Sequence, residues 1–151
     1  MTLKDLSILK WQYDCSKTRS MPHDYIPKDK FTDKTANGLT KAICTFIKLQ
    51  GYQAERISSM GRVIDERKTV TNVLGQTRMI GSSKYIPGTS TKGTADISAT
   101  IKGKSVKIEV KIGKDRQSEA QIKYQHDVER AGGIYFIAKD WDSFYTHYLT
   151  I

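Results

Sequence analysis

The chain lacks the residues and patterns that mark several common kinds of functional site. Its two cysteines, Cys15 and Cys44, are too far apart in sequence to form a zinc motif, and its three histidines, His23, His126 and His147, have no metal-ligand spacing. No apolar run approaches the ~20 residues of a membrane span. Internal repeats and the phosphate-binding glycine motifs of nucleotide hydrolases are also missing. We therefore expect no membrane partner and no nucleotide cofactor. Two cysteines without a signal peptide predict a reducing, cytoplasmic location.

Acidic residues are also fewer than basic residues. The chain has 25 Lys and Arg against 16 Asp and Glu, a formal net charge of +9. This excess suits an anionic partner, although positive charge also serves solubility. At 151 residues, 38% of them hydrophobic, the chain is predicted to form one domain with a single core over 1–151. Residues 1–30 form a weakly patterned N-terminal extension of that domain.

A basic β-arm and a flexible loop are predicted over 53–94, where positive charges outnumber negative ones. Residues 51–94 hold seven Lys or Arg and three Asp or Glu. Short strands are predicted at 53–57, 62–65 and 77–81, between glycines, and the Ser, Thr, Gly and Lys content of 82–94 predicts a mobile loop. The alternative is a solvated surface insertion. If the arm grips phosphates, the expected contacts are Arg56, Arg62, Arg67, Lys68, Arg78, Lys84 and Lys92.

A β-hairpin is predicted from two segments in which apolar and polar residues alternate. Over 95–101, Asp96 lies on the polar face, opposite an apolar face of Ile97, Ala99 and Ile101. In the next strand Glu109 and Lys111 share the polar face, since side chains on a strand alternate between its two sides. Two carboxylates and a lysine are therefore expected on one surface of the sheet.

The turn of this hairpin predicts which residues pair. Residues 102–105 place Gly103 at the first central position of a two-residue turn, as a type II′ hairpin requires. This turn would pair Ser98 with Glu109 and Asp96 with Lys111. Asp96 and Glu109 would then be diagonal neighbours at roughly 7 Å, near enough to share an ion. The alternative is an ordinary polar face with a cross-strand ion pair of about 0.5 kcal/mol.

Downstream of the hairpin the pattern predicts a helix and a further strand. Ser118 and Gln121 form a capping-box pattern, and Gly132-Gly133 ends the helix. Gln121 can therefore serve a purely local capping role as well as a functional one. Residues 134–138 form a continuous apolar run, typical of a central strand. The predicted buried stripe of the helix is Ala120, Tyr124, Val128 and Ala131.

Three more helices complete the predicted α/β fold. Residues 35–49 carry a core-facing stripe and end at Gly51. Residues 3–13 and 141–151 are predicted to dock on the core. We expect a mixed sheet of four or five strands flanked by helices. The docking side chains would be Leu39, Ile43, Phe46 and Ile47 in the central helix, Leu6, Leu9 and Trp11 in the first, and Phe144, Tyr148 and Leu149 in the last.

Three segments of the sequence resemble a known family: Ala95-Asp96, Ile108-Glu109-Val110-Lys111, and the D-R-x-S-x-x-Q stretch from Asp115 to Gln121. They are similar to the core of the PD-(D/E)XK nuclease superfamily, and the last stretch, followed by a helix and glycines, resembles its VRR-NUC branch (virus-type replication-repair nuclease), which includes domains like Holliday-junction resolvases. The resemblance covers roughly 93–138. It implies a restriction-endonuclease-like fold with a catalytic core at 95–138.

The resemblance implies a role for each matching residue. Asp96 and Glu109 would hold Mg²⁺ or Mn²⁺ together with the Val110 carbonyl, since hard oxygen ligands suit these ions. Lys111 would orient or deprotonate the attacking water, and Gln121 would point to that water or to the phosphate. Relatives carry a glutamate near the position of Asn37, which is the candidate further ligand. Additional nucleic-acid contacts would come from Lys114, Arg116 and Lys123.

By this resemblance the chain is expected to be a Mg²⁺-dependent endonuclease that hydrolyses DNA. It would select branched, flapped or junction DNA in replication, repair or recombination, in a bacterial or phage-infected cell, and would act as a homodimer. One alternative is a catalytically inactive nucleic-acid-binding module that keeps the fold, suggested by Asn37 in place of an acid. Another is an RNA-directed or accessory factor within a replication machine.

Overall fold

The computed structural model describes residues 1–18, 20–58, 61–88 and 91–151. The chain divides into a main unit, Met1–Ile57 with Gly93–Ile151, and a second unit, Ser58–Lys92. A 3₁₀ helix covers His23–Tyr25. The α-helices of the described residues are α1 (Leu3–Lys17), α2 (Ala36–Leu49), α3 (Glu119–Arg130) and α4 (Trp141–Thr150). The strands are β1 (Gln53–Arg56), β2 (Arg62–Asp65), β3 (Lys68–Thr71), β4 (Thr77–Ile80), β5 (Ser83–Ile86), β6 (Ile97–Ile101), β7 (Lys104–Val110) and β8 (Ile134–Ala138).

The main unit is a mixed α/β structure built on a four-stranded sheet in the order β1-β6-β7-β8. The β1–β6 and β6–β7 pairs are antiparallel, and β7–β8 is parallel with α3 as its connection. The prediction of a central strand at 134–138 is wrong, because β8 lies at the edge of the sheet. Its apolar run has another cause. Helices α3 and α4 both contact β8, so side chains on both faces of the strand are covered.

The predicted turn and register of the β6–β7 hairpin are wrong by two residues. Ile101 pairs with Lys104 and Ile97 with Ile108. Continued one step past the end of β6, this register places Asp96 opposite Glu109 rather than Lys111. The two turn residues are Lys102 (φ 48°) and Gly103 (φ 78°), and positive φ at both positions is the type I′ geometry that matches strand twist. A shift of two residues preserves the alternation, so the two faces are still as predicted.

The core lies on one side of this sheet, between the apolar faces of β6 and β7 and helices α2 and α4. The predicted stripe of α2, Leu39, Ile43, Phe46 and Ile47, is buried as expected. Trp141 and Phe144 of α4 pack edge-on against Phe46. Leu6 of α1 is also fully buried. The prediction that Leu149 docks is wrong, because 63% of its side chain is exposed.

Helix α3 lies on the other side of the sheet and begins and ends as predicted. Ser118 and Gln121 form the capping box, and Gly132 (φ 80°) follows the last turn. Its predicted stripe is less buried than expected: no residue of α3 is fully buried, and Ala131 is exposed. Because α3 packs on β8, at the edge of the sheet, the side chains of this stripe remain partly accessible. None of the helices in the described ranges combines the length and apolarity needed to cross a membrane.

The second unit consists of two antiparallel strand pairs, β2 with β5 and β3 with β4. Strands near 62–65 and 77–81 were predicted, whereas β3 was not. The mobile loop predicted over 82–94 is wrong in its first part, because Ser83–Ile86 is strand β5. Tyr85 and Ile86 favour extended structure, and pairing with β2 supplies the backbone partners that composition alone does not reveal. Thr89 and Ser90 of that predicted loop lie outside the described residues.

Candidate functional site

Four predicted site residues come together where the polar face of the β6–β7 hairpin meets the first turn of α3. Asp96 directly precedes β6, Glu109 lies in β7, Lys111 directly follows β7, and Gln121 is in the first turn of α3. Asp96 Oδ2 accepts a hydrogen bond of 2.9 Å from the backbone N–H of Val110. This bond holds the Asp96 carboxylate against the strand that carries Glu109.

Glu109 is at the centre of the cluster and is 2% exposed. Its Oε1 accepts a hydrogen bond of 2.6 Å from Gln121 Nε2 and lies 3.0 Å from the Lys111 ammonium nitrogen. Its other oxygen, Oε2, is buried and has no hydrogen-bond partner among the residues that the structure describes. A buried carboxylate oxygen without a partner costs free energy. A positive ligand or a donor at Oε2 would remove that cost.

The charges of Glu109 and Lys111 are coupled. Burial raises the pKa of Glu109, opposed by the hydrogen bond from Lys111 and reinforced by the negative charge of Asp96. Burial alone would lower the pKa of Lys111, but its contacts with Glu109 and Asp115 outweigh burial and raise that pKa. The Asp115 carboxylate lies 3.4 Å from Lys111 Nζ. Lys111 is therefore a charged ammonium at neutral pH.

The predicted capping role of Gln121 is confirmed, and its side chain also contacts Glu109. Its side-chain oxygen accepts a hydrogen bond of 2.9 Å from the backbone N–H of Ser118, which completes the capping box. Its side-chain nitrogen donates to Glu109. The start of the helix thus positions the amide that fixes the buried carboxylate.

Gly93 is a positioning residue that the sequence analysis missed. Its φ is 85°, and a Cβ added there would come within 2.3 Å of the Ala120 carbonyl oxygen. The backbone leading to Asp96 therefore passes directly against the first turn of α3, close to Gln121. Only glycine fits both the conformation and the space. Nothing in the sequence distinguishes Gly93 from the ten other glycines, because the contact joins segments far apart in the chain.

Two further side chains of the polar face were also missed. The Tyr135 hydroxyl accepts a hydrogen bond of 3.3 Å from Gln117 Nε2. Burial raises the pKa of Tyr135 to about 12, with smaller contributions from the charges of Glu109 and Asp96. Lys107, two residues before Glu109 on the same face, donates a hydrogen bond of 2.5 Å to Ser98 Oγ. The period-2 alternation does place Lys107 on the face of Glu109 and Lys111, but it assigns Lys107 no role, whereas Tyr135 lies within an apolar run that gave no such signal.

Asn37 is engaged elsewhere. Its Oδ1 accepts a hydrogen bond of 2.7 Å from the guanidinium of Arg56, at an exposed position. That bond uses the oxygen that a metal ion would need. The predicted role of Asn37 as a further ligand therefore has no geometric support in this conformation.

The predicted nucleic-acid contacts share one property, which is that all ten side chains are exposed. Arg67 is engaged by Asp65 in an exposed ion pair of 2.6 Å. The main unit carries Arg56 at the end of β1, Lys114 and Arg116 in the loop before α3, and Lys123 on α3. The predicted contacts in the second unit are Arg62, Arg67, Lys68, Arg78, Lys84 and Lys92.

The site offers few possible metal ligands, and all of them are oxygen atoms. The described residues contain no group of three or more His, Cys, Asp or Glu side chains placed to hold a metal ion. Asp96 and Glu109 offer carboxylate oxygens, and the Val110 carbonyl could add a third oxygen. Mg²⁺ commonly binds through one or two carboxylates and keeps several waters. The unpartnered Glu109 Oε2 fits such an ion.

In comparisons with known proteins, no protein-family model matches the chain and no curated protein sequence matches it. The PD-(D/E)XK resemblance therefore remains a prediction from the residues.

Proposed function

We propose that the chain is a nuclease of the PD-(D/E)XK type, with a restriction-endonuclease-like core, that hydrolyses DNA phosphodiester bonds using Mg²⁺ or Mn²⁺. One observation carries this proposal: Glu109, whose Oε2 is buried without a partner among the described residues, lies beside Lys111, and the charge of Asp96, just before the paired strand, acts on it. A divalent cation held by Asp96 and Glu109 would satisfy that oxygen and offset the cost of its burial.

The residues of the chain support distinct parts of phosphodiester hydrolysis. A bound divalent ion would stabilise charge on the scissile phosphate and lower the pKa of bound water. Because Lys111 is a charged ammonium, it would stabilise the negative charge that develops and orient the attacking water. It would not remove the proton of that water. Gln121 and Lys111 both hold Glu109 Oε1, which keeps the carboxylate in one rotamer.

The basic side chains support nucleic acid as the partner. With a formal charge of +9, the chain would attract a phosphate backbone at long range. We propose that the second unit acts as a basic arm that holds this backbone, and that Lys114, Arg116 and Lys123 of the main unit add contacts near Gln121. Action as a homodimer on branched or junction DNA is part of the same proposal.

One observation favours a second candidate, a nucleic-acid-binding module without turnover. Asn37 supplies no charge where relatives carry an acid, and its oxygen is bonded to Arg56. Such a protein would bind DNA in a salt-sensitive way, with or without a divalent ion, and would leave the DNA intact.

The test is cleavage of branched, flapped and linear DNA by the purified chain, with Mg²⁺ or with EDTA. We expect cutting only with the metal ion. Glu109→Gln and Lys111→Ala should each lower the rate by about 10²-fold or more, as loss of a charge-stabilising group does in other sites. Glu119→Gln, an exposed acid at the start of α3, is the matched control and should cut normally. Cutting that survives both site variants would defeat the assignment, and tight binding without cutting would favour the second candidate.

A further inference from the structure

The β3–β4 hairpin of the second unit ends in a turn with two exposed aliphatic residues. Val73 is fully exposed and Leu74 is 79% exposed. Asn72 organises this turn, because its side-chain oxygen accepts hydrogen bonds from the backbone N–H groups of Leu74 (3.0 Å) and Gln76 (2.9 Å). The Asn72 N–H also donates to the Gln76 carbonyl (2.9 Å). The tip therefore presents Val73 and Leu74 on an ordered backbone.

The turn does not need these two side chains in order to form. Its hydrogen bonds come from Asn72 and from the backbone, and Gly75 (φ 76°) provides the left-handed position. Polar residues at positions 73 and 74 would fit equally well and would avoid exposing apolar surface to water. Two adjacent aliphatic side chains at an exposed tip point to a contact with another molecule.

The charge around the tip indicates what that molecule is. From Ser58 to Lys92 the sequence contains six Lys or Arg and two Asp or Glu. On the β3–β4 pair, Lys68 faces Ile80 and Val70 faces Arg78, so both cations share one face of the ribbon with apolar side chains. Lys68 and Arg78 form no ion pair within the part of the chain that the structure describes. A partner that matches both kinds of side chain has anionic groups on its own outer surface and apolar groups beneath them.

We propose that Val73 and Leu74 form a wedge that inserts between neighbouring bases of a nucleic acid whose phosphates are held by Lys68 and Arg78. The class of partner rests on the function proposed above. DNA has phosphates on its outside and stacked apolar bases inside. Apolar side chains that enter from the minor groove are a known way to unstack a base step and kink a duplex. A lipid surface fits less well, because two aliphatic side chains without a neighbouring aromatic bury little area in a membrane interface.

The wedge also predicts which DNA the chain prefers. Unstacking a paired step costs free energy, and the cost is lowest where a base is mismatched or already unpaired. The tip should therefore insert most readily at mismatches, nicks or branch points. This preference would arise in the second unit, independently of the carboxylates of the main unit.

The experiment uses the full chain in EDTA, so that DNA is not cut, and duplexes carrying 2-aminopurine at a central step, with or without a mismatch beside it. We expect the wild type to raise 2-aminopurine fluorescence, most strongly beside the mismatch. The double variant Val73→Ser/Leu74→Ser should lose this signal and bind about 10-fold more weakly with an unchanged salt slope. Val63→Thr, an exposed apolar residue of β2 away from the tip, is the matched control. Lys68→Ala/Arg78→Ala should instead lower the salt slope by roughly two.

Several results would overturn the wedge. The first two are an unchanged 2-aminopurine fluorescence signal in the tip variant and absence of DNA binding by the wild type. The other two would assign the tip to a different partner: loss of self-association in the tip variant without DNA, or tip-dependent binding to anionic phospholipid vesicles with normal DNA binding. Cleavage in Mg²⁺ is measured in parallel. A tip-dependent signal without cleavage keeps the wedge and defeats the nuclease, whereas cleavage with no tip effect does the reverse.

Discussion

At the scale of single residues, Glu109 is a buried carboxylate whose negative charge is poorly compensated. Its burial, its unpartnered Oε2 and the negative charges of Asp96 and Asp115 disfavour the ionised form, whereas the contacts with Lys111 and Gln121 favour it. A metal ion would reverse this balance by making the ionised form the stable one. Glu109 should therefore be the residue at which metal binding and folding stability are most strongly linked.

We predict that Mg²⁺ raises the melting temperature of the wild type and does so more at higher pH. The folded pKa of Glu109 is raised above its ordinary value of 4.5, so its contribution to stability without metal is present below that value. That contribution is lost as pH rises through the folded pKa. Mg²⁺ binds the ionised carboxylate and should restore stability over the same interval, by about 2.7 kcal/mol at a concentration 100-fold above its Kd.

The measurement is thermal unfolding across pH 4 to 8, roughly the range over which a raised carboxyl pKa would titrate, in EDTA and in Mg²⁺. Asp96→Asn and Glu109→Gln should each abolish the Mg²⁺-induced shift, while Glu119→Gln should retain it. Equal shifts in all four proteins would show that Mg²⁺ acts on some other site.

At the scale of elements, the site depends on how closely the strand leading to Asp96 approaches α3. Gly93 allows that approach, and the hairpin register places Asp96 opposite Glu109. Both conditions are set by the backbone: one by the left-handed conformation at Gly93 and the other by strand pairing.

We predict that Gly93→Ala damages activity more than it damages folding. The added Cβ would meet the Ala120 backbone, which cannot move aside like a flexible side chain, and φ at 85° adds strain of about 1 kcal/mol or more. The first turn of α3 should shift and weaken the contact between Gln121 and Glu109, lowering cleavage by about 10-fold or more, as small misplacements in active sites do. Gly103→Ala, also at positive φ but with open space around it, is the control for strain alone. Equal losses of cleavage in the two variants would contradict the steric argument.

At the scale of the whole molecule, the core of the main unit is organised around Phe46. Its ring packs edge-on against four aromatic rings of α4, those of Trp141, Phe144, Tyr145 and Tyr148, with centroid distances of 4.8 to 5.9 Å. Phe46 thus joins α2, which lies under the sheet, to the last helix of the chain.

We predict that Phe46→Ala lowers the free energy of unfolding by about 3–5 kcal/mol, because the cavity lies among rigid rings and cannot collapse easily. Leu149→Ala, on the same helix as the partner rings but 63% exposed, should change it by less than about 0.5 kcal/mol. Urea unfolding followed by tryptophan fluorescence measures both. A small effect of Phe46→Ala would mean that the α2–α4 contact contributes little to the fold.

Local patterns of the sequence were enough to predict several features. Alternation placed Asp96, Glu109 and Lys111 on one polar surface, and the capping box located the start of α3 at Ser118. The stripe of α2 was also predicted correctly. These features depend on strand and helix periodicity or on residues within one turn, which is why a single stretch of sequence contains them.

The features that join distant segments depend on how the elements pack, and a local pattern does not contain them. The turn type could not be predicted, because a glycine in a two-residue loop suits both type I′ and type II′ geometry, and the choice shifted the register by two residues. The edge position of β8, the burial of Glu109 and the backbone contact of Gly93 likewise arise from packing between elements. By itself the sequence determined which side chains share a face. Their distances and charges depend on which elements pack against that face, because desolvation and steric fit are properties of the assembled fold.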